Sequence, residues 1–460
     1  MARYEYREGS SQKFWEIEKK DKKVIVRFGR IGSKGQEKVK SFKNSWEASN
    51  YRTAQIKAKT RKGYALLRPG LPGPEPTAAR DPELEAMIAE SPGRPEAYEV
   101  YGDWLLAQGD PRGELIAVEN ALRRSPRSKP LLEERARLRA PYEQRLRQLA
   151  EAFGWVNSLG GHGRMTAEWE LGFIRAAKVG HDWFAADSAP EDLMDVRAFF
   201  LALLSEPSLS LIRDLSVGLW RDSGGQCSYA GLFAALGELG LPALRRLFVG
   251  DFEFPEHIEI SWTDLGDVSP LYAAAPRLEE LTLQGGAMSL GRIDCPALRS
   301  FDLRTGGLSR TNIQAITAAR WPRLERLDVW FGDHYYGFDG SLADIEPLLA
   351  GENTPGLRHL GLKNCELTDA ICARLPTASI LPRLESLDLS MGMMTDEGAA
   401  ALAAARDRLR HLRLLDVSKN FLTPEGERLL RGVCGEVVTD RQKEPDVWEG
   451  EVQRFVSVGE

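Results

Sequence analysis

One phrase recurs along this chain and limits what it can fold into. Leucine-like residues stand at fixed offsets, in the pattern L-x-x-L-x-L-x-x-N-x-L. The fullest copy is Leu412, Leu415, Val417, Asn420 and Leu422, inside the stretch Leu409 to Gly426. Copies of its first half begin at Ile212, Leu244, Leu278, Leu298, Leu324, Leu357 and Leu384, with successive starts 20 to 34 residues apart. Each half-phrase is a short strand whose alternate side chains point one way. One such strand cannot bury its apolar face alone, whereas a stack of eight builds a continuous core. Between the strands lie helical stretches such as Thr368–Leu375 and Thr395–Arg406, with Thr as N-cap and acids in the first turn. The expected class is therefore α/β. One parallel sheet should cover about 205–432, with the helices outside it.

The phrase resembles the leucine-rich repeat, whose period is roughly 20–29 residues. The resemblance implies a horseshoe solenoid with strands on its concave side and a protein partner bound there. Strand positions that alternate with the core leucines include Glu280, Thr282, Asp302, Asp328, Trp330, Asp388 and Asp416. This acidic series predicts a basic partner. Two bulky inserts follow the repeat strands, Phe252–Trp262 and Trp330–Phe338. Aromatics are favoured at interface hot spots, so Trp330, Tyr335 and Tyr336 are candidate anchors beside Asp302, Asp328 and Asp388.

Ahead of the repeats the charge changes sign. Residues 1–67 hold 18 Lys+Arg against 7 Asp+Glu, an excess of +11, so the remaining 393 residues carry −17 of the net −6. Lys13–Glu18, Val24–Phe28 and Lys38–Phe42 have strand composition. Asn44 begins a helix, with Glu47 as its capping-box partner. Between the second and third strands lies Gly29-Arg30-Ile31-Gly32-Ser33-Lys34-Gly35-Gln36. Its glycines would let backbone approach a phosphate, and Arg30, Lys34, Lys38 and Lys40 supply charge. The plainer reading is a tight hairpin with solvated lysines.

These residues, from KFWEIEKKDKKVIVRFGRIGSKGQ to KTRKGY, resemble the WGR domain, found in DNA-damage-activated poly(ADP-ribose) polymerases and in bacterial proteins. The resemblance implies a nucleic-acid contact, with Arg30 matching the family Arg and Phe28 in place of the signature Trp. Phe28 keeps an aromatic face for a sugar or base but has no indole N–H. No polymerase catalytic domain follows. The phrase YGDWLLAQGDPRGELIAVENAL resembles a short module that accompanies leucine-rich repeats in bacteria such as myxobacteria.

The expected organisation is a WGR-like module at 1–67, a Pro/Gly linker at 68–80, a helical module at 81–153, a repeat cap at 154–204, repeats at 205–432, and a C-terminal cap and tail at 433–460. In that order, Glu168–Val179 reads as a strand pair turning at Gly172, and Val437-Val438 and Phe455–Val458 read as edge strands. Asp110, before Pro111, reads as a turn residue.

Catalytic signatures are missing from the sequence. There is no G-x-x-x-x-G-K-[ST], H-E-x-x-H or G-x-S-x-G. The six histidines lack ligand spacing, and His359 and His411, each in a Leu-Arg-His-Leu phrase, read as recurring at matching repeat positions, which argues for scaffold. No cofactor, metal or small-molecule substrate is expected. Five scattered cysteines read as small buried residues. No apolar run reaches the roughly 18 residues of a membrane helix, and the N-terminus lacks a secretory h-region. The expectation is a cytoplasmic, non-enzymatic adaptor or regulator. The alternative is a protein-interaction scaffold whose head binds an acidic protein surface.

Overall fold

The structure is a computed structural model that describes residues 2–8, 11–60, 62, 64–67, 79–153, 163–181, 196–219, 227–448 and 450–459. Most of the predicted linker, residues 68–78, lies outside the described residues.

The head is an antiparallel sheet in the order β4-β3-β2-β1-β5, with one helix. Its strands are β1 (Ala2–Glu8), β2 (Ser11–Lys20), β3 (Lys23–Arg30), β4 (Gln36–Ser41) and β5 (Ala65–Leu67); the helix is α1 (Ser45–Thr60). Period-two alternation puts Tyr4, Trp15, Ile17 and Val24 on one face, buried with Ala48 and Ile56 of α1. Asn44 caps α1, accepting from the Glu47 N–H at 2.8 Å, while the Glu47 carboxylate accepts from Lys43 N–H at 3.3 Å. The reciprocal half of the predicted capping box thus falls one residue early. Strand β1 was not anticipated, because its charged residues mask the alternation that Tyr4 and Tyr6 keep.

Four helices follow: α2 (Pro82–Glu90), α3 (Pro95–Ala107), α4 (Arg112–Arg124) and α5 (Lys129–Ala152). Asp81 caps the first, accepting from Glu83 and Leu84 N–H at 3.0 and 3.1 Å, with Pro82 in the first turn where its missing N–H costs nothing. Ile88, Tyr98, Tyr101, Leu105 and Ile116 share one core with Leu171, Phe173, Leu211 and Ala243. The helices are therefore packed onto the start of the repeats. Arg112, fully buried, fastens the join. It pairs with Asp110 at 2.7 Å and donates to the carbonyls of Ala79 at 2.5 Å and Pro207 at 3.3 Å.

All eight repeat phrases lie in one eleven-stranded sheet, in chain order. At its start, β6 (Gly163–Glu170) and β7 (Phe173–His181) form an antiparallel pair turning at Leu171-Gly172. From β7 through β8 (Asp214–Val217) to the last strand, Glu436–Val438, every neighbour is parallel. Leu215, Leu247, Leu281, Phe301, Leu327, Leu360, Leu387 and Leu415 lie side by side in that register and are all buried. Asn420 is buried too. It accepts from Met394 N–H at 2.9 Å and donates to the carbonyls of Leu389 and Val417, tying two repeats together.

Several expectations are corrected. The shortest copy, Leu278 to Leu298, has room only for a short strand, Ala287–Ser289, and no helix. Thr395 caps its helix as expected, but Thr368 does not; it is buried and donates to the Cys365 carbonyl at 2.6 Å. Val437-Val438 lies in an edge strand, whereas Phe455–Val458 is not a strand. Instead the tail runs back over the repeats, with Ser457 N–H on the Met391 carbonyl and Val458 bonded twice to the Asn364 amide, at 2.6 and 2.9 Å. A hairpin, Asp446–Trp448 with Glu451–Gln453, precedes it.

Candidate functional site

Strand register decides which head residues can act together. Directly opposed residues in an antiparallel pair share a face. Lys13 opposes Arg30, Trp15 opposes Phe28, Val26 opposes Lys38 and Val24 opposes Lys40. Arg30, Phe28, Lys38 and Lys40 therefore lie on one face, the one that α1 partly covers. Lys38 Nζ sits 5.6 Å from the half-buried Phe28 ring, and Lys40 Nζ sits 4.0 Å from the Tyr51 ring. Lys34 is exposed in the connecting loop. None of these four cations has a carboxylate partner among the described residues.

The opposite face of the sheet is neutralised. Glu16 takes Arg27 at 2.6 Å and Arg3 at 3.0 Å, and Arg3 also reaches Glu5 at 3.1 Å. Burial would raise the Glu16 carboxyl, but the two guanidinium hydrogen bonds outweigh it and hold the group below the usual range. Arg30, Lys38 and Lys40 on the aromatic side are thus left without the carboxylates that Arg3 and Arg27 have on the other. Sequence reasoning missed Lys59 there. Its Nζ lies 4.6 Å from the Tyr64 ring and 5.6 Å from Trp15, and burial, with Lys62 and Lys13 adding repulsion, pushes its pKa down. The signal available in sequence was the Lys57-x-Lys59 spacing, which could not show which face the helix presents.

The loop glycines do a different job from the one predicted. Gly35, at φ +68°, packs so tightly that a Cβ would stand 2.5 Å from Phe14 and 2.8 Å from the Phe28 carbonyl. Gly29 lies against Gly35 and the same ring. These two glycines close the hairpin over Phe14 rather than opening it to a phosphate. Gly32, at φ +89°, faces open space inside the turn that Ser33 N–H closes onto the Arg30 carbonyl at 3.0 Å. Gly35→Ala is expected to destabilise the head by about 2–4 kcal/mol, the sum of overpacking and backbone strain. Gly32→Ala should cost only about 1 kcal/mol. Thermal melts of the two variants check the ranking.

On the repeats, three acids of the predicted series are present but not available as free charge. Asp302 pairs with Arg304 at 2.6 Å, Asp388 with Lys363 at 2.6 Å, and Asp328 with His359 at 3.1 Å and Arg326 at 2.7 Å. Asp328 and Asp388 are only 3% and 8% exposed, so neither is an open docking residue. The cause is lateral crowding between parallel strands. Gly361 lies beside Asp328, where a Cβ would come within 2.3 Å of the carboxylate. Burial raises the Asp328 carboxyl, and His359 and Arg326 more than reverse that.

His359 Nδ1 also contacts Ser386 Oγ at 2.7 Å, so Ser386, His359 and Asp328 form a chain across three strands. Ser386 is buried and its N–H already donates to the Arg358 carbonyl at 3.2 Å. The chain buttresses the sheet. His411 does not sit at the equivalent place. It precedes its strand and contacts the Leu381 carbonyl at 3.0 Å, so the shared phrase was not a shared repeat position.

The aromatic insert divides. Phe331 and Phe338 are buried edge-to-face, Trp330 packs partly on the core, and Tyr335 and Tyr336 are 75% and 43% exposed. His334 stacks on Tyr335, and its Nδ1 lies 2.7 Å from Glu366, whose carboxylate raises the His334 pKa. With buried Asp333 these residues form a donor set that sequence spacing did not reveal; its three donor atoms lie within 4.8 Å of one another. The ion pair accounts for that geometry. No disulfide joins the five cysteines, and four are buried, with burial pushing Cys295 and Cys365 up to about 12; Cys434 is half-buried. No helix among the described residues is long and apolar enough to cross a membrane.

The WGR domain family matches residues 2–70, and a leucine-rich-repeat family matches residues 382–403. A Bacteroides fragilis protein of known crystal structure is similar over 96% of this chain and 97% of its own, at 23% identity and a TM-score of 0.51, which is a likeness of fold. An internalin from Listeria monocytogenes aligns over 54% of this chain and 71% of its own, at 13% identity and a TM-score of 0.28. No functionally curated protein matches the chain. The chain carries an N-terminal WGR domain and, after its helical segment, a leucine-rich repeat.

Proposed function

We propose that this protein is a non-enzymatic, cytoplasmic adaptor or regulator. Its WGR domain contacts nucleic acid, or another polyanion, through Phe28, Arg30, Lys34, Lys38 and Lys40. The observation that carries this reading is the asymmetry of the head sheet. Arg3 and Arg27 on one face are paired with Glu5 and Glu16, whereas Arg30, Lys38 and Lys40, on the face with Phe28, have no carboxylate partner among the described residues. A backbone of phosphates supplies the missing charge, and Phe28 supplies a ring for a sugar or base. Without an indole N–H at Phe28, blunt, nicked and single-stranded oligonucleotides should bind the full chain within a few-fold of one another. A strong preference for ends would show that Phe28 fully replaces the family Trp.

The repeats, in this proposal, curve into a horseshoe solenoid that holds a protein partner. Because Asp302, Asp328 and Asp388 are internally paired, the partner is anchored by exposed aromatics more than by charge. Tyr335 and Tyr336, beside Trp330, are the anchors. Tyr335→Ala with Tyr336→Ala should remove at least one protein retained by the wild-type chain from a cell extract, as resolved by mass spectrometry. An unchanged set would count against this anchor.

A further inference from the structure

Two of the strand edges left open among the described residues are strongly exposed and carry opposite charge. The first is β4, the outermost strand of the head sheet, every residue of which is exposed. Its centre reads Lys38-Val39-Lys40, with Val39 55% exposed. The second is the C-terminal hairpin, a two-stranded sheet by itself. Val447 and Trp448 are 68% and 67% exposed and Val452 is 55% exposed. Residues 444–453 contain four Asp+Glu and no Lys or Arg.

An isolated two-stranded hairpin is at best marginal in water. This one is fastened at both feet. Lys443 Nζ donates to the carbonyls of Gly392 at 3.0 Å and Phe455 at 2.6 Å, and Ser457 and Val458 are bonded to Met391 and Asn364 just beyond. The fold therefore holds an apolar, acidic strand edge out to solvent, the kind of edge that recruits another strand.

We propose that the hairpin is the docking site for β4 of a second copy of this chain. The strand Glu451-Val452-Gln453 pairs with Lys38-Val39-Lys40, so that Val452 meets Val39, one lysine opposes Glu451, and the other opposes Gln453 with Asp446 the next residue across on the same face. Both strands have an apolar centre with polar flanks, so one register satisfies charge and burial together. The contact is head-to-tail, so it generates open chains or rings rather than a two-fold dimer. It uses two lysines assigned above to nucleic acid, and the two occupants exclude each other there. The inference does not rest on that assignment, because self-association is read without nucleic acid.

Sedimentation velocity of the full chain, across two decades of concentration at low and high salt, tests it. The average mass should rise with concentration at low salt and fall at high salt. Val452→Lys, at an exposed position, should shift the association midpoint by about tenfold or more, and so should Lys38→Glu with Lys40→Glu. Adding Asp446→Lys and Glu451→Lys to the second variant should restore association, which misfolding could not do. A single mass at every concentration in low salt overturns the proposal, as does association unchanged by Val452→Lys.

Discussion

Replacing Arg112 with alanine is expected to destabilise the join between the helices and the first repeats by about 3–5 kcal/mol, because it strands a buried carboxylate. Arg112 is fully buried and holds Asp110 at 2.7 Å while donating to Ala79 and Pro207 carbonyls. Its guanidinium also lies 5.6 Å from the Phe173 ring. Removing it leaves Asp110 with desolvation and no counter-charge. In the wild type, burial raises the Asp110 carboxyl but Arg112 more than offsets this, so its pKa is lowered in the folded state. That contribution is present above the unfolded pKa of about 3.9 and is lost as pH falls through the lower folded value. In Arg112→Ala the guanidinium's hydrogen bond and charge are gone and only backbone N–H donors remain against the burial, so the cost of the substitution should shrink in acid. Asp110→Asn combined with Arg112→Met removes both charges and should cost less than Arg112→Ala alone. Denaturant midpoints at neutral pH and near pH 4 give the comparison; a cost that grows in acid would contradict it.

Lys38→Ala with Lys40→Ala is expected to weaken nucleic-acid binding by about sixtyfold at 0.1 M salt. Each phosphate contact contributes a salt exponent of about 0.9, which is roughly eightfold per contact at that ionic strength. Both residues are exposed on the face with Phe28. Lys40 also rests on the Tyr51 ring, so a melt must accompany the binding curve. The contrasting variant is Arg27→Ala on the paired face. It breaks the 2.6 Å contact with Glu16 and should lower head stability while leaving affinity within a few-fold.

How much was legible beforehand depends on how far apart the cooperating residues lie. The eight strands could be read because Leu415 and Val417, or Leu360 and Leu362, stand at fixed short offsets set by the pleat. Strands β2, β3 and β4 of the head, though not Ala2–Glu8 or Ala65–Leu67, were legible for the same reason, as was the Asp81 cap. The chemistry between strands was not. Asp328 and His359 are neighbours only because parallel register aligns two repeats, and nothing local to either residue announces the pairing. Asp302, Asp328 and Asp388 therefore looked open when they were paired. The glycines of the head loop show a related limit. Gly29 and Gly35 looked like phosphate-approach residues, but the ring they accommodate, Phe14, lies on the neighbouring strand. The C-terminal hairpin was missed because its strands are too short for alternation to register.

The most direct measurement is the salt dependence of nucleic-acid binding by the full chain, followed by fluorescence anisotropy on a labelled duplex. With Arg30, Lys34, Lys38 and Lys40 each neutralising about one phosphate, log affinity should fall against log salt with a slope of roughly −3 to −4. Arg30→Ala should make that slope shallower by about one unit. Phe28→Ala should weaken binding at every salt concentration with the slope nearly unchanged, since stacking releases no counterions. Absence of binding at low salt, or a slope that Arg30→Ala leaves where it was, would contradict the assignment of this face to nucleic acid.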